Sequence, residues 1–381
     1  MVDLLPDYRL HLHRQARDSW QITKAGQNAV FMIASALALV AVAATATASH
    51  APDREARHNA CGIPVAVIKD LTLPSLYGGN PLPDPKAVAV TINKGKPLKD
   101  FLRLIESNAV SLAPDKRACA LAEMDRWARS DGLLGKFNHQ GNFERHWTVA
   151  GAATAFDAIN CQPALDAASK ARVAHWFNRL GRAMIDASGR MNVITEQVGT
   201  MNNHGYWLNY AVFMAGKVSG DEGLMKWGRD RTQDAIIAEV KADRYATGIL
   251  PREKARGALA LHYQLFAVQP LAALEAAAKG TSMPLNNDAS EGLARIVKAT
   301  ARAASHPTYA DNVMGTKQLD SFHPGRSLEE DGQGLMIWQL FHNDRSVGAM
   351  IEKARIKPSS RLGGSTIPIW SQSCIIRAHR N

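Results

Sequence analysis

The amino-acid sequence predicts an all-α domain in which helix pairs stack into a ring or solenoid, and three observations predict it. Apolar residues recur with a 3.6-residue period through most of the chain. Alternating patterns are scarce, with short strand candidates only near Lys86–Ile92 and Ser365–Ser371. Gly132, Gly189, Gly220, Gly248 and Gly280 divide the periodic stretches into segments of helix-pair length. With 46% hydrophobic and 21% charged residues in 381, the chain has the composition of a globular protein and excludes a disordered one.

The first element is an address. Residues 28–49 form an apolar stretch preceded by Arg9, Arg14, Arg17 and Lys24 and ending in Ala46-Thr47-Ala48, a small-x-small cleavage pattern. Residues 1–48 are therefore expected to be a signal peptide, with an uncleaved N-terminal anchor as the alternative. The mature protein is then periplasmic or secreted, without stable membrane insertion. Loss of residues 1–48 removes four basic and three acidic residues, so the formal charge of +10 falls only to +9. The basic character belongs to the working domain and suits a polyanionic partner. The 45 Lys and Arg form no run, and no nucleic-acid-binding motif accompanies them, so nucleic acid is not the expected partner.

Residues 49–98 are rich in Pro and Gly, including Pro64, Pro74, Gly78, Gly79, Pro81 and Pro83, and read as an extended lead-in with a loop. Residues 99–381 carry the helical pattern. Val173, Trp176, Phe177, Leu180 and Met184 line one face of a helix. Trp207, Tyr210, Ala211, Met214 and Val218 line a second, and Leu293, Ile296, Val297, Ala301 and Ala304 a third. Four cysteines (Cys61, Cys119, Cys161 and Cys374) enter an oxidising compartment; one bridge with two buried thiols and two bridges both remain open. No CxxC, HExxH or calcium-loop spacing occurs, so no metal or other cofactor is expected.

Two segments carry chemistry. Met201–Trp207 (MNNHGYW) gathers amides, an imidazole, a phenol and an indole at a helix start. An Asn there is commonly a cap and a Tyr-Trp pair commonly core. The second segment is Leu250–Tyr263 (LPREKARGALALHY). Arg256 and Tyr263 are seven apart, which on one helix puts them on one face about 10.5 Å apart along the axis. Breaking a 4-linked uronate by β-elimination needs this kit. Asn and Arg can neutralise the carboxylate so that charge spreads into it in the transition state. Tyr and His can take the C5 proton and protonate the departing O4. A Tyr becomes a usable base when a cation such as Arg256 lowers its pKa from about 10.

NNHGYW resembles the NNHSYW motif of the bacterial mannuronate-specific alginate lyases. Leu250–Tyr263 resembles their LP-x-E-(x)2-R-(x)4-L-x-Y segment, and Arg361-Leu362-Gly363-Gly364 resembles their S-x-RLGG. Weaker similarity runs through Phe137-Asn138-His139, Arg145, Trp147 and the Cys119 helix. The resemblance implies an incomplete α/α barrel (toroid) of paired antiparallel helices, with a deep cleft and an N-terminal lid loop around Tyr77. It implies that Asn203 and Arg256 neutralise the carboxylate, that His204 assists neutralisation or proton abstraction, and that Tyr263 moves the protons. It further implies substrate contacts from Tyr77, Arg145, Trp147, Tyr206, Trp207 and Arg361, and a Cys61–Cys119 bridge.

The sequence departs from the pattern at Gly205, at Leu76 and in the order His262-Tyr263-Gln264. The first two bear on the exact polymer more than on the reaction. Mannuronate and glucuronate differ only at C2, so a tyrosine placed for one can act on the other; guluronate, inverted at C5, is the poorer expected substrate. The expected function is thus a monomeric lyase for an acidic β-1,4-linked uronate polymer, mannuronan or a glucuronate-containing exopolysaccharide of the acetan type. Two alternatives stand beside it: a toroidal glycoside hydrolase acting on uronides, which needs a facing carboxylate pair, and a non-catalytic exopolysaccharide-binding secretion component.

Overall fold

The structure, a computed structural model, describes residues 61–76, 84–190, 202–319 and 324–372. Residues 1–60 lie outside it, and with them the expected signal peptide; so do Tyr77, the surrounding lid segment and Cys374. The described residues form helices and no strands, with only two isolated bridges, Leu71 with Phe137 and Ser359 with Gly364. The order is α1 (Pro85–Ala109), α2 (Pro114–Arg129), α3 (His139–Asn160), α4 (Ala167–Arg190), α5 (Asn203–Ser219) and α6 (Glu222–Ala242). The short α7 (Pro251–Lys254) leads to α8 (Ala260–Lys279), followed by α9 (Asn287–Ser305), α10 (Pro307–Met314), α11 (Pro324–Asp331), α12 (Gln333–His342), α13 (Arg345–Ile351) and α14 (Thr366–Gln372). None is long and apolar enough to cross a membrane.

Packing follows the pattern of the side chains. The three predicted apolar faces are all buried and belong to α4, α5 and α9. Helix α5 is apolar nearly all round, and it is surrounded by α3, α4, α6 and α8, as such a helix must be. Its partner α6 closes tightly against it, and α9 lays its single apolar stripe against α8. The result is an α/α toroid, the architecture the resemblance implies.

Both strand candidates are helical. At Lys86–Ile92 the alternation of Val with Ala and Thr is overridden by Asp84, whose carboxylate accepts the Lys86 N–H at 2.9 Å, and by Pro85 at the first helical position. Val90 and Ile92 stay exposed, while Leu98, Phe101, Leu102 and Ile105 supply the buried face. Helix α1 thus begins at Pro85, and the extended lead-in ends well before the expected limit at residue 98. At Ser365–Ser371, Pro368 falls in the first turn of α14, where it is tolerated, and Ile369 and Trp370 are buried.

From Cys61 to Leu76 the chain is extended, as expected. Leu71 N–H donates to the Lys136 carbonyl at 2.9 Å, and Asn138 accepts from Leu73 N–H at 3.1 Å. Cys61 is bridged to Cys119 on α2, closing a 58-residue separation, which the chain-entropy model values at about 4 kcal/mol. Cys161 is disulfide-bonded as well, so one bridge with two buried thiols does not describe this chain.

Candidate active site

The first turn of α5 divides its two asparagines between two tasks. Asn202 is the cap, its side chain accepting the His204 N–H at 3.1 Å. Asn203 is fully buried and points elsewhere. Its backbone N–H donates to Glu253 at 2.8 Å, and its side-chain amide donates to both Glu253 oxygens, at 3.2 and 3.1 Å. Glu253, in α7, is equally buried; desolvation pushes its carboxyl above the usual range, against the pull of the Asn203 bonds and of Arg256. This carboxylate clasps the two sequence motifs together. The signal in the sequence for Glu253 is its fixed place in LP-x-E-(x)2-R.

A single helix through Arg256 and Tyr263 does not exist. Helix α7 stops at Lys254, Gly257 takes φ +60, a left-handed conformation that favours glycine, and one 3₁₀ turn at Gly257–Leu259 precedes α8. The bend is held by Leu319 N–H on the Ala258 carbonyl at 3.0 Å and by Gln318, which accepts the Leu261 N–H at 2.9 Å. The chain folds back on itself, and the Arg256 guanidinium lies 4.8 Å above the Tyr263 ring in place of a separation along an axis. Its side chain is 39% exposed, and its Nε stays 4.0 Å from Glu253.

His204 stacks on Phe143 at 3.7 Å, with Trp147 tilted 6.3 Å away. Burial, Arg256 and His139 together push its pKa down to about 3. The imidazole is therefore neutral over the ordinary working range. It can hydrogen-bond a substrate, but it supplies no charge to a carboxylate and none to the phenol, and it is a weak base.

A cavity of about 590 Å³ has Trp147, His262 and Arg361 in its lining; none of Asn203, His204, Arg256 and Tyr263 lines it, and Trp147 lies 6.3 Å from His204. The Arg361 guanidinium lies 4.6 Å over the Trp147 ring and 5.0 Å over that of Phe266. Its loop reaches this position because Gly151 has no side chain: a Cβ there would fall 1.9 Å from the Ser360 carbonyl oxygen. His262 packs edge-on to Tyr263 at 5.0 Å and bonds Asp331 at 2.8 Å. Neither His262 nor Asp331 was singled out from sequence for the substrate; His262's place beside the tyrosine was the only signal.

Three residues expected to contact substrate are buried in packing positions. Arg145 is 3% exposed; its guanidinium covers the Phe137 ring at 4.7 Å and reaches the Ala183 carbonyl on α4, a packing position. Tyr206 is buried with its hydroxyl bonded to Glu239. Trp207 is fully buried against Phe266 and Tyr210. The helical period turns Tyr206 and Trp207 into the bundle. Trp147 and Arg361 line the cavity, and Tyr77 lies outside the described residues. Among the described residues no group of His, Cys, Asp and Glu is arranged to hold a metal.

The family model described as alginate lyase matches residues 83–309. An alginate lyase of Pseudomonas putida is 27% identical over 68% of this chain and 69% of its own length. One from Pseudomonas syringae pv. tomato is 26% identical, and there this chain spans about half of the relative, 53%. Among solved structures, alginate lyase A1-III from Sphingomonas species A1 superposes with a TM-score of 0.61 at 22% identity, covering 81% of this chain and 85% of that one. A histidine-to-alanine variant of alginate lyase A1-III complexed with a tetrasaccharide gives 0.62.

Proposed function

We propose a reaction from one premise: the chain belongs to the alginate lyase family and is a polysaccharide lyase. The hydrolase and non-catalytic alternatives give way on the same ground. The enzyme cuts an acidic polysaccharide by β-elimination at a 4-linked β-D-mannuronate or glucuronate. Arg256 faces the uronate carboxylate and stabilises the charge that enters it as the C5 proton leaves. Asn203 assists from behind, through the Glu253 clasp that fixes it. The Tyr263 oxygen, as phenolate, takes the C5 proton; the released electron pair forms the C4=C5 bond while the C4–O4 bond breaks. The same hydroxyl then protonates O4. His204, neutral, hydrogen-bonds the sugar. The observation that carries this reading is the Arg256 guanidinium seated on the Tyr263 ring, a cation beside the group that must ionise.

Incubation with defined mannuronan, glucuronan and guluronan, following ultraviolet absorbance of the new unsaturated uronate, tests it. Absorbance should rise with the first two and barely with guluronan; new reducing ends without absorbance would overturn the reading. The same proposal places the enzyme outside the cytoplasm as a monomer. Sequencing the N-terminus of exported protein should find it near Ser49, and a membrane-retained full-length product would refute that part.

A further inference from the structure

We propose that Glu106, on α1, is a positioning residue for the acidic polymer: through Ser360 it fixes the turn that carries Arg361, and so sets where the Arg361 guanidinium stands in the cavity wall. The inference rests on the lyase reading above and deepens it with a residue that itself touches no sugar. Arg361 brings a positive charge to the cavity without a carboxylate partner. Its guanidinium lies over the Trp147 and Phe266 rings and forms none of the described ion pairs. The rings hold the tip of a long side chain that has many rotamers, so the place of the charge depends on the backbone that feeds it.

That backbone is a short turn and not part of a long helix. One 3₁₀ turn, Ser360–Leu362, runs into Gly363 and Gly364, both in the left-handed region at φ +85 and +94. Ser359 N–H donates to the Gly364 carbonyl at 3.1 Å and Gly364 N–H to the Ser359 carbonyl at 2.9 Å. These bonds close the turn on itself and attach it to nothing else. Among the described residues, the one hydrogen bond that ties residues 359–364 to another element is the Ser360 hydroxyl donating to Glu106 Oε2 at 3.1 Å, across 254 positions of sequence. Packing points the same way. A Cβ on Gly364 would fall 2.8 Å from the same Glu106 oxygen, so the glycine backbone rests directly on the carboxyl group. With the Ser360 carbonyl seated over Gly151, the turn is held from two helices, α1 by a directional bond and α3 by close contact.

Glu106 is buried on the helix face that also carries Phe101, Leu102 and Ile105, and it does not line the cavity. Burial pushes its carboxyl up to about 7, against the pull of the Ser360 bond and of Arg103. A carboxyl in such surroundings opposes folding unless it is bonded. The side-chain bond it accepts leads to a single turn, and that turn presents a single arginine to the cavity. An amide oxygen in the same place accepts the same bond without the charge, whereas a methyl group accepts none. This difference separates a positioning role from a role of charge or bulk.

The test measures KM and kcat on defined mannuronan and glucuronan oligosaccharides. Glu106→Ala should raise KM by about three- to tenfold and leave kcat within about twofold, the split expected when binding is lost and chemistry kept. Glu106→Gln should return KM to within about twofold of wild type, because it keeps an oxygen for Ser360. Ser360→Ala should match Glu106→Ala, and the double variant should be no worse than either alone. Glu106→Ala should add nothing to Arg361→Ala, since its effect passes through that guanidinium. Thermal melting checks that each variant folds; where Glu106→Ala does not, Ser360→Ala alone and combined with Arg361→Ala carries the same test. Calorimetric binding of the oligosaccharides to these variants in a Tyr263→Phe background reads the pattern without turnover. A change in kcat at constant KM, no rescue by Glu106→Gln, or an effect that adds to that of Arg361→Ala overturns the inference. Turnover without the pattern overturns this inference alone; the binding pattern without unsaturated product from wild type overturns the lyase reading alone.

Discussion

The proposed catalytic residues come from two regions built in opposite ways. Asn203 and His204 stand on the first turn of α5, a helix fixed on all sides by core packing, and Asn203 has no exposed surface. Arg256 stands on the bend between α7 and α8, and Tyr263 in the first turn of α8 that the bend leads into; both are partly open to solvent, and the bend is shaped by Gly257 and by side-chain bonds from Gln318. Glu253 joins the two. The difference suits the proposed division of labour, in which the helix-borne half sets geometry and the half at and after the bend presents the groups that meet substrate. Changes in the bend should cost rate, and changes in the helix should cost stability.

The largest effect falls on Tyr263. Tyr263→Phe should lower kcat by roughly a hundred- to ten-thousand-fold with little change in KM, because its hydroxyl acts only as protons move. If the variant keeps more than about a tenth of wild-type kcat, the bend is not the reacting half. Arg256→Ala should follow, losing about a hundred- to a thousand-fold in rate and raising KM as well, since the guanidinium meets the carboxylate both before and during the reaction.

Trp207→Ala sharpens the comparison from the other side. Removing a fully buried indole should cost roughly 3–5 kcal/mol of stability, read by thermal or denaturant unfolding, while the folded fraction keeps wild-type KM. A raised KM at unchanged stability would return Trp207 to the substrate. The smallest effect concerns Glu239, whose carboxyl is pushed up to about 7 by burial, against the pull of Arg252. The folded protein holds that proton up to about pH 7, whereas the unfolded chain releases it near 4.5. Stability contributed by this group is therefore full below 4.5 and is lost as pH rises through 7. Glu239→Gln should flatten that decline, measured as the melting temperature across the window.

The helical faces were legible because burial writes a 3.6-residue period into α4, α5 and α9, and the structure buries each predicted face. The motifs were legible as positions in a pattern, and the Cys61–Cys119 bridge followed from the resemblance. Orientation within the motifs was not. Tyr206 and Trp207 sit beside Asn203 and His204 in sequence, yet helical rotation sends them into the bundle, and Arg145 turns its charge onto Phe137 and Ala183. The alternating residues of α1 carried strand propensity, but a cap, a proline and a later buried face outweighed it.

The sequence by itself determined the helical class, the breaks between helices and which residue types could neutralise a uronate and move its protons, because periodicity and chemical identity are local properties. Only the tertiary structure decided that Glu253 clasps Asn203, that Arg256 rests on Tyr263 and that Arg361 lies over Trp147. Those pairings join residues 50, 7 and 214 positions apart, and their distances are set by helix packing and one glycine-dependent bend, which no spacing along the chain encodes.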